Sequence, residues 1–178
     1  MNQSLALTVL AQNTPDGFAQ LTEFLASHHC HIESSRMLLL NNTEFAMLLL
    51  IDGPWNELAK LETRLPIFAT QHDLLIQLKR VAALQEETRQ WIPYSAELIA
   101  RDSNGIIEAV SRFFTDEGAV IYESSDNRYK THATGIIMYS LSFHLLIPAD
   151  TQLSELRERF AALCDFLNID AYLEPERI

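Results

Sequence analysis

The sequence predicts an α+β fold in which one β-α-β-β-α-β module, a four-stranded antiparallel sheet carrying two helices, occurs twice. Three observations carry this. A strand–turn–helix–strand unit spans Leu5 to Arg36. The same unit returns 89 residues later without a gap, so that Asn13 falls on Asp102, Thr14 on Ser103, Leu21 on Val110, Phe24 on Phe113 and Ile32 on Ile121. Each copy is followed by a hairpin, a second amphipathic helix and a further strand. Turn chemistry, helix stripe and strand start all coincide, which marks a structural duplication.

The first strand, Leu5–Leu10, is short, apolar and partly β-branched, the pattern of a buried strand. Asn13-Thr14-Pro15-Asp16-Gly17 stops it. Pro15 suits the first turn of a helix, and Asn13 or Thr14 can accept from the free N–H groups there. Phe18, Leu21, Phe24 and Leu25 then form one apolar stripe, and His28-His29 ends the helix. Ile32–Leu40 reads as a strand, Asn41-Asn42 as a hairpin turn, because Asn tolerates positive φ, and Phe45–Ile51 as the returning strand. Trp55–Leu65 is the second helix, with Leu58, Leu61 and Leu65 on one face and Pro66 ending it. Asp73–Val81 is the fourth strand, where Leu74, Ile76 and Leu78 alternate with Gln77 and Lys79.

Residues 83–93, polar around Trp91 and closed by Pro93, read as a linker between modules at 1–82 and 94–178. The second copy runs as strand Tyr94–Ala100, helix Gly105–Asp116, strand Val120–Tyr129, strand Ile136–Ile147, helix Leu153–Phe166 and strand Asp170–Leu173. Leu153, Leu156, Phe160 and Leu163 form the inward stripe of its second helix. The hairpin from Asp126 to Gly135 is longer and more polar than its counterpart; a partner or ligand is one reason for such a loop, a tolerated surface insertion the other. Right-handed crossovers put the first and third strands side by side in the centre of each sheet, the ferredoxin-like arrangement. One sheet face is then bare, and covering it or extending the sheet edge gives a physical reason for a second copy and for a homodimer.

Formal net charge is −11, with 13 basic and 24 acidic residues among 178. The stretch to Arg89 carries −4 and the remainder −7. Neither copy offers a basic patch, which argues against direct binding of nucleic acid. Two cysteines, Cys30 and Cys164, make no disulfide framework. No basic, apolar leader and no apolar run of ~20 residues is present, so a cytoplasmic protein without membrane association is expected.

The duplicated module with a polar Pro/Gly turn after its first strand resembles a tandem ACT domain protein. The usual ACT turn reads Asp-x-Pro-Gly-Ile/Leu; here it is Asn13-Thr14-Pro15-Asp16-Gly17-Phe18 and Asp102-Ser103-Asn104-Gly105-Ile106. His31-Ile32-Glu33-Ser34-Ser35-Arg36, Gly53-Pro54-Trp55-Asn56 and Asp73-Leu74-Leu75-Ile76 are similar to the glycine cleavage system transcriptional repressor family. The resemblance implies an amino-acid effector, glycine favoured, and repression through contact with a DNA-binding transcriptional activator. It places the ligand at Asn13, Thr14, Pro15, Asp16, Ile32 and Glu33 in one copy. In the other it uses Asp102, Ser103, Asn104, Gly105, Ile121 and Tyr122. Two departures stand out. Asp16 occupies the glycine position of the first turn, and Asn104 replaces proline in the second, which keeps Gly105. Glycine lets the backbone approach a carboxylate at a helix start, so the second turn is the better anion binder; Asp16 would repel a carboxylate or attract an ammonium group.

Other constellations read more simply. His28, His29, Cys30 and His31 hold soft metal ligands, but no second cluster answers them, and a solvated helix end explains them. Glu33-Ser34-Ser35 and Glu123-Ser124-Ser125 lack the base and oxyanion site a nucleophilic serine needs. With no phosphate loop, dinucleotide fingerprint or zinc signature, neither a cofactor nor an enzyme is expected. Arg128, Tyr129, Lys130 and His132 form the locally basic loop, read first as a solvated turn. The competing function is a constitutive protein-interaction module, or the regulatory subunit of a metabolic enzyme, with a decayed ligand site.

Overall fold

The computed structural model describes residues 3–14, 16–40, 43–82, 90–101 and 104–176. They divide between two compact units, Met1–Glu86 and Glu87–Ile178. The Asn41-Asn42 turn, Pro15, Asp102, Ser103 and residues 83–89 of the linker lie outside the described residues.

The first unit contains β1 (Gln3–Gln12), α1 (Gly17–Ala26), β2 (His31–Leu40), β3 (Glu44–Asp52), α2 (Trp55–Gln71) and β4 (Leu75–Ala82). All pairings are antiparallel, in the order β2-β3-β1-β4. The second unit contains β5 (Trp91–Ala100), α3 (Ile106–Asp116), β6 (Val120–Lys130), β7 (Ile137–Pro148), α4 (Leu153–Leu167) and β8 (Asp170–Pro175). Its order, β6-β7-β5-β8, is the same topology. The first and third strands are central neighbours in each sheet, as expected.

Strand alternation decides which face packs. Leu5, Leu7, Val9 and Ala11 of β1 are buried with Phe45, Met47, Leu49 and Ile51 of β3. Leu21 and Leu25 of α1 and Leu58, Leu61 and Leu65 of α2 close over the same face in one cluster. The second unit repeats this with Tyr94, Ala96, Leu98 and Ala100 of β5, Val110 and Phe114 of α3, and Leu156 and Phe160 of α4. Burying one such leucine is worth about 1.5–3 kcal/mol, so helix stripe and strand alternation hold each module together.

Fine geometry is duplicated too. Register shifts fall between Ile32 and Ser34 in β2 and between Ile121 and Glu123 in β6. Glu33 and Tyr122 are therefore equivalent bulge residues, each the extra residue at its register shift. Both second helices end on a left-handed residue, Asp73 (φ 54°) and Asn168 (φ 54°). Leu74 N–H then bonds the Ala69 carbonyl at 2.9 Å and Ile169 N–H the Cys164 carbonyl at 3.0 Å, which satisfies carbonyls the helix end leaves open.

Several boundaries differ from the sequence reading. Pro66 does not end the second helix; α2 continues to Gln71 with Pro66 inside it. The continuation buries Phe68 and Ala69 and stacks Phe68 on Phe24 at 4.3 Å, which offsets the bond that proline cannot make. Pro93 does not close the linker but lies within β5, which starts at Trp91. Its carbonyl accepts from Glu176 N–H at 3.0 Å just past the end of β8, so its missing donor points where the ladder has run out. The long hairpin is mostly strand: β6 stays paired with β7 through Lys130 and Ile137, leaving the turn to 131–136. Its turn is closed by Thr131 N–H to the Ile136 carbonyl at 2.9 Å.

Candidate functional site

Each first-strand turn is built from backbone. In the first unit Thr14 N–H bonds the Gln12 carbonyl (2.9 Å), and Gly17 N–H bonds the Thr14 carbonyl (3.2 Å). Asn13 N–H is held by the Thr43 carbonyl at 2.7 Å. The residue capping α1 is Asp16, and its side chain accepts no helix N–H. The side-chain capping expected of Asn13 or Thr14 is thus replaced, at Gly17, by a main-chain bond. In the second unit Gly105 caps α3 at φ 75°, a left-handed conformation that glycine adopts without strain, and its carbonyl receives Ala109 N–H at 2.9 Å.

Both turns face the end of their second helix across a cleft, and the two clefts differ. The first is about 210 Å³, lined by Gln12, Thr14, Gly17, Gln20, His72 and Asp73 among others. The second is about 700 Å³. Its walls combine apolar Ile106, Leu167 and Ile169 with Asn104, Asn168 and the charged Arg101, Asp165 and Asp170. In the duplication Gln20 corresponds to Ala109 and His72 to Leu167, so smaller or apolar side chains leave the second cleft open. Cys164 lines it as well, and burial with the nearby Asp165 charge pushes its thiol up to about 11. It stays protonated at neutral pH.

The expected site residues do not converge within a module. Asn104 lines the second cleft and Gly105 caps the helix beside it, whereas Ile121 and Tyr122 lie at the opposite end of the sheet. Ile121 faces Leu145, which faces Tyr94, while the turn follows Ala100. Six residues of strand separate those levels, about 20 Å at ~3.4 Å per residue. Ile32 and Glu33 stand apart from Thr14 in the same way, since Ile32 faces Ile51 and Ile51 faces Leu5. Tyr122 has its own engagement. Its hydroxyl donates to Glu176 Oε2, and Glu176 Oε1 accepts from His144 Nδ1 at 3.0 Å. These donors, Tyr122 foremost, hold the Glu176 carboxyl below the usual glutamate range.

The remaining clusters resolve in structural terms. Among the described residues no group of three or more His, Cys, Asp or Glu could hold a metal. His28 is buried rather than solvated. Its Nδ1 donates to the Phe24 carbonyl at 2.8 Å, and Nε2 accepts from Arg64 Nη1 at 3.3 Å, because a carbonyl can only accept and a guanidinium only donate. Cys30 is also buried, and burial raises its thiol pKa. Arg128, Tyr129 and Lys130 lie on exposed strand and, with Ile137, line a recess of about 260 Å³. No described helix is long and apolar enough to cross a membrane.

Residues 3–79 match the family model for the ACT domain. The first module is an ACT domain. The second repeats its strand order and its bulge, and the chain as a whole resembles the glycine cleavage system transcriptional repressors. The chain is 28% identical over 166 residues to the glycine cleavage system transcriptional repressor of Escherichia coli (strain K12), covering 92% of this chain and 85% of that one. A crystal structure described as a candidate glycine cleavage system transcriptional repressor superposes with TM-score 0.76 at 22% identity, covering 100% of this chain and 99% of the other. An unknown protein from Galdieria sulphuraria superposes with TM-score 0.75 at 21% identity over 99% and 100%. These two superpositions establish the fold alone.

Sequence reasoning missed Arg101, Asp165 and Asp170. The signal was available: laying the copies on each other sets Arg101 against Gln12, a new charge beside a shared turn.

Proposed function

We propose that this protein is a cytoplasmic regulator that senses a free amino acid, glycine favoured. It represses transcription of glycine cleavage genes by contacting a DNA-binding activator, not DNA itself. The likeness to a glycine cleavage repressor along 92% of the chain carries the reading. The net charge of −11 supports an indirect route to the promoter, since phosphate contacts dominate non-specific DNA affinity. The effector sits at the turn between first strand and first helix, with the second turn, at Asn104 and Gly105, the stronger of the two.

Regulation follows from linkage. An effector that binds one conformation of the protein better shifts the population that meets the activator, and only by its difference in affinity for the two. A homodimer belongs to this reading; the exposed Leu38, Leu48 and Leu75 on the first sheet supply an apolar surface for it. Thermal unfolding of the purified protein against glycine and the other amino acids tests the sensor. A ligand at 100 times its Kd adds about 2.7 kcal/mol, a rise of roughly 5–10 °C in Tm. Co-purification of the activator, weakened or strengthened by the same amino acid, tests the partner. Absence of any shift at millimolar concentration would instead favour a constitutive interaction module, the reading that Asp16 and the narrow first cleft support.

A further inference from the structure

The face of the first sheet turned away from its helices carries an apolar row from one edge to the other. Leu38 on β2 stands opposite Ala46 on β3, Ala46 opposite Leu10 on β1, and Leu10 opposite Leu75 on β4. Leu48 and Leu50 continue the patch along β3, and Leu38, Leu48 and Leu75 are exposed. The charged residues that register places on this face are Arg36 and Lys79 against Glu44 and Asp52. They cancel, so the face is neutral in a chain of net charge −11.

The duplication supplies an internal control. The matching row of the second sheet reads Asn127, Ser140, Ile99 and Asp170. Among the described residues, the charges its strands place on that face are Glu97, Glu123, Asp170 and Glu174, all acidic. Since the same strand order is built on a polar, acidic face, the fold does not require the leucine row. A contiguous apolar patch kept on the surface without a folding role marks a contact surface.

We propose that a second copy of this chain covers it, the first sheet of one protomer packing face to face on the first sheet of its partner. A two-fold contact sets the same patch against itself, and leucine against leucine needs no charge match. Two copies of a chain at −11 repel each other, and a neutral apolar face is where they meet at least electrostatic cost. The second sheets would instead bring carboxylates against carboxylates. The face measures about 19 by 34 Å, at ~4.8 Å between strands and ~3.4 Å per residue. Roughened by side chains, that is of the order of the ~800 Å² per partner buried in a standard interface. The proposal rests on the homodimer in the reading above and adds the surface that forms it.

Sedimentation equilibrium of the full-length protein tests it. The wild type is expected to dimerise at micromolar concentration, and more tightly as salt screens the net charge. Leu48→Glu in the centre of the patch and Leu75→Lys at its edge are each expected to raise the dimer dissociation constant by about tenfold or more, because each buries an unpaired charge. Both should leave the Tm of the dilute monomer unchanged. Tyr172→Glu, on the second sheet, should leave the dissociation constant unchanged. A wild type still monomeric near millimolar concentration would overturn the proposal. So would a dimer that tolerates both leucine substitutions, one that Tyr172→Glu breaks, or one that salt weakens. Assembly is the only readout, so a monomer whose Tm still rises with an amino acid would lose the interface and keep the sensor.

Discussion

The two modules share topology and differ in what they leave uncovered. In the first sheet the face away from the helices carries Leu10, Leu38, Leu48, Leu50 and Leu75; Leu38, Leu48 and Leu75 are about 60% exposed. The corresponding face of the second sheet carries Ser95, Glu97, Ser142, His144 and Glu174 beside the exposed Ile99 and Tyr172. There Ser142 Oγ donates to Glu97 at 2.6 Å, and Glu176 reaches across to His144 and Tyr122. The clefts differ in the opposite sense, narrow in the first module and open and charged in the second. Duplication has preserved what packs against the helices and released what faces solvent. The first copy leaves apolar side chains exposed on its sheet, and the second leaves an open cleft lined by charge.

Deleting equivalent core side chains should cost most. Leu61 and Leu156 are fully buried at matching places, and Leu→Ala at either site is expected to cost about 2–5 kcal/mol. Urea unfolding read on the two tryptophans, Trp55 in one module and Trp91 in the other, separates the effects. If the modules unfold independently, each substitution moves one signal; joint movement would mean a single cooperative unit.

Pro66 has no counterpart, since α4 carries Ala161 at the matching position. Pro66→Ala restores a helical N–H and is expected to stabilise the first module by about 1–3 kcal/mol. A lower urea midpoint would show that the surrounding packing depends on the ring.

The glycines at the two turns are expected to respond differently. A Cβ on Gly105 meets nothing within 4 Å, but φ is 75°, so Gly105→Ala should cost about 1–2 kcal/mol from backbone conformation alone. A Cβ on Gly17 comes within 2.9 Å of Thr14 Oγ1, a movable hydroxyl. Helix propensity there favours alanine by up to ~1 kcal/mol, so Gly17→Ala should be near neutral. Equal costs in thermal melts would contradict this account of the two turns.

The smallest effect is a pH dependence confined to the second module. Tyr122 and His144 hold the Glu176 pKa below its ordinary value, so the folded state binds this proton less readily than the unfolded chain. The resulting stabilisation is fully present above the ordinary glutamate value near ~4.3 and is lost as pH falls through the lowered one. Glu176→Gln should remove that acid-limb contribution from Tm against pH; an unchanged acid limb would show that the contact does not matter in solution.

Much of this was legible because period and turn chemistry are local. Alternation in Leu5–Ala11, the stripe through Leu58, Leu61 and Leu65, and the coincidence of Asn13 with Asp102 specify elements and their duplication without any knowledge of contacts. Pro66 and Pro93 misled for one reason. A local rule says what proline cannot donate, whereas tertiary context decides whether a donor was needed at that place. His28 reads as a solvated helix end until α2 brings Arg64 to its ring. Arg101 is separated from Asp165 and Asp170 by more than sixty residues of chain, and no spacing rule brings it to them.

The sequence by itself determined the two modules, their strand order and their buried faces, because each follows from hydrophobic period, turn residues and crossover handedness. Tertiary structure alone decided that the turn and the bulged strand start stand at opposite ends of a sheet. It also decided that the second cleft is open and lined by charge. Both depend on which residues the folded chain brings within a few ångströms, and that distance is not written in separation along the chain.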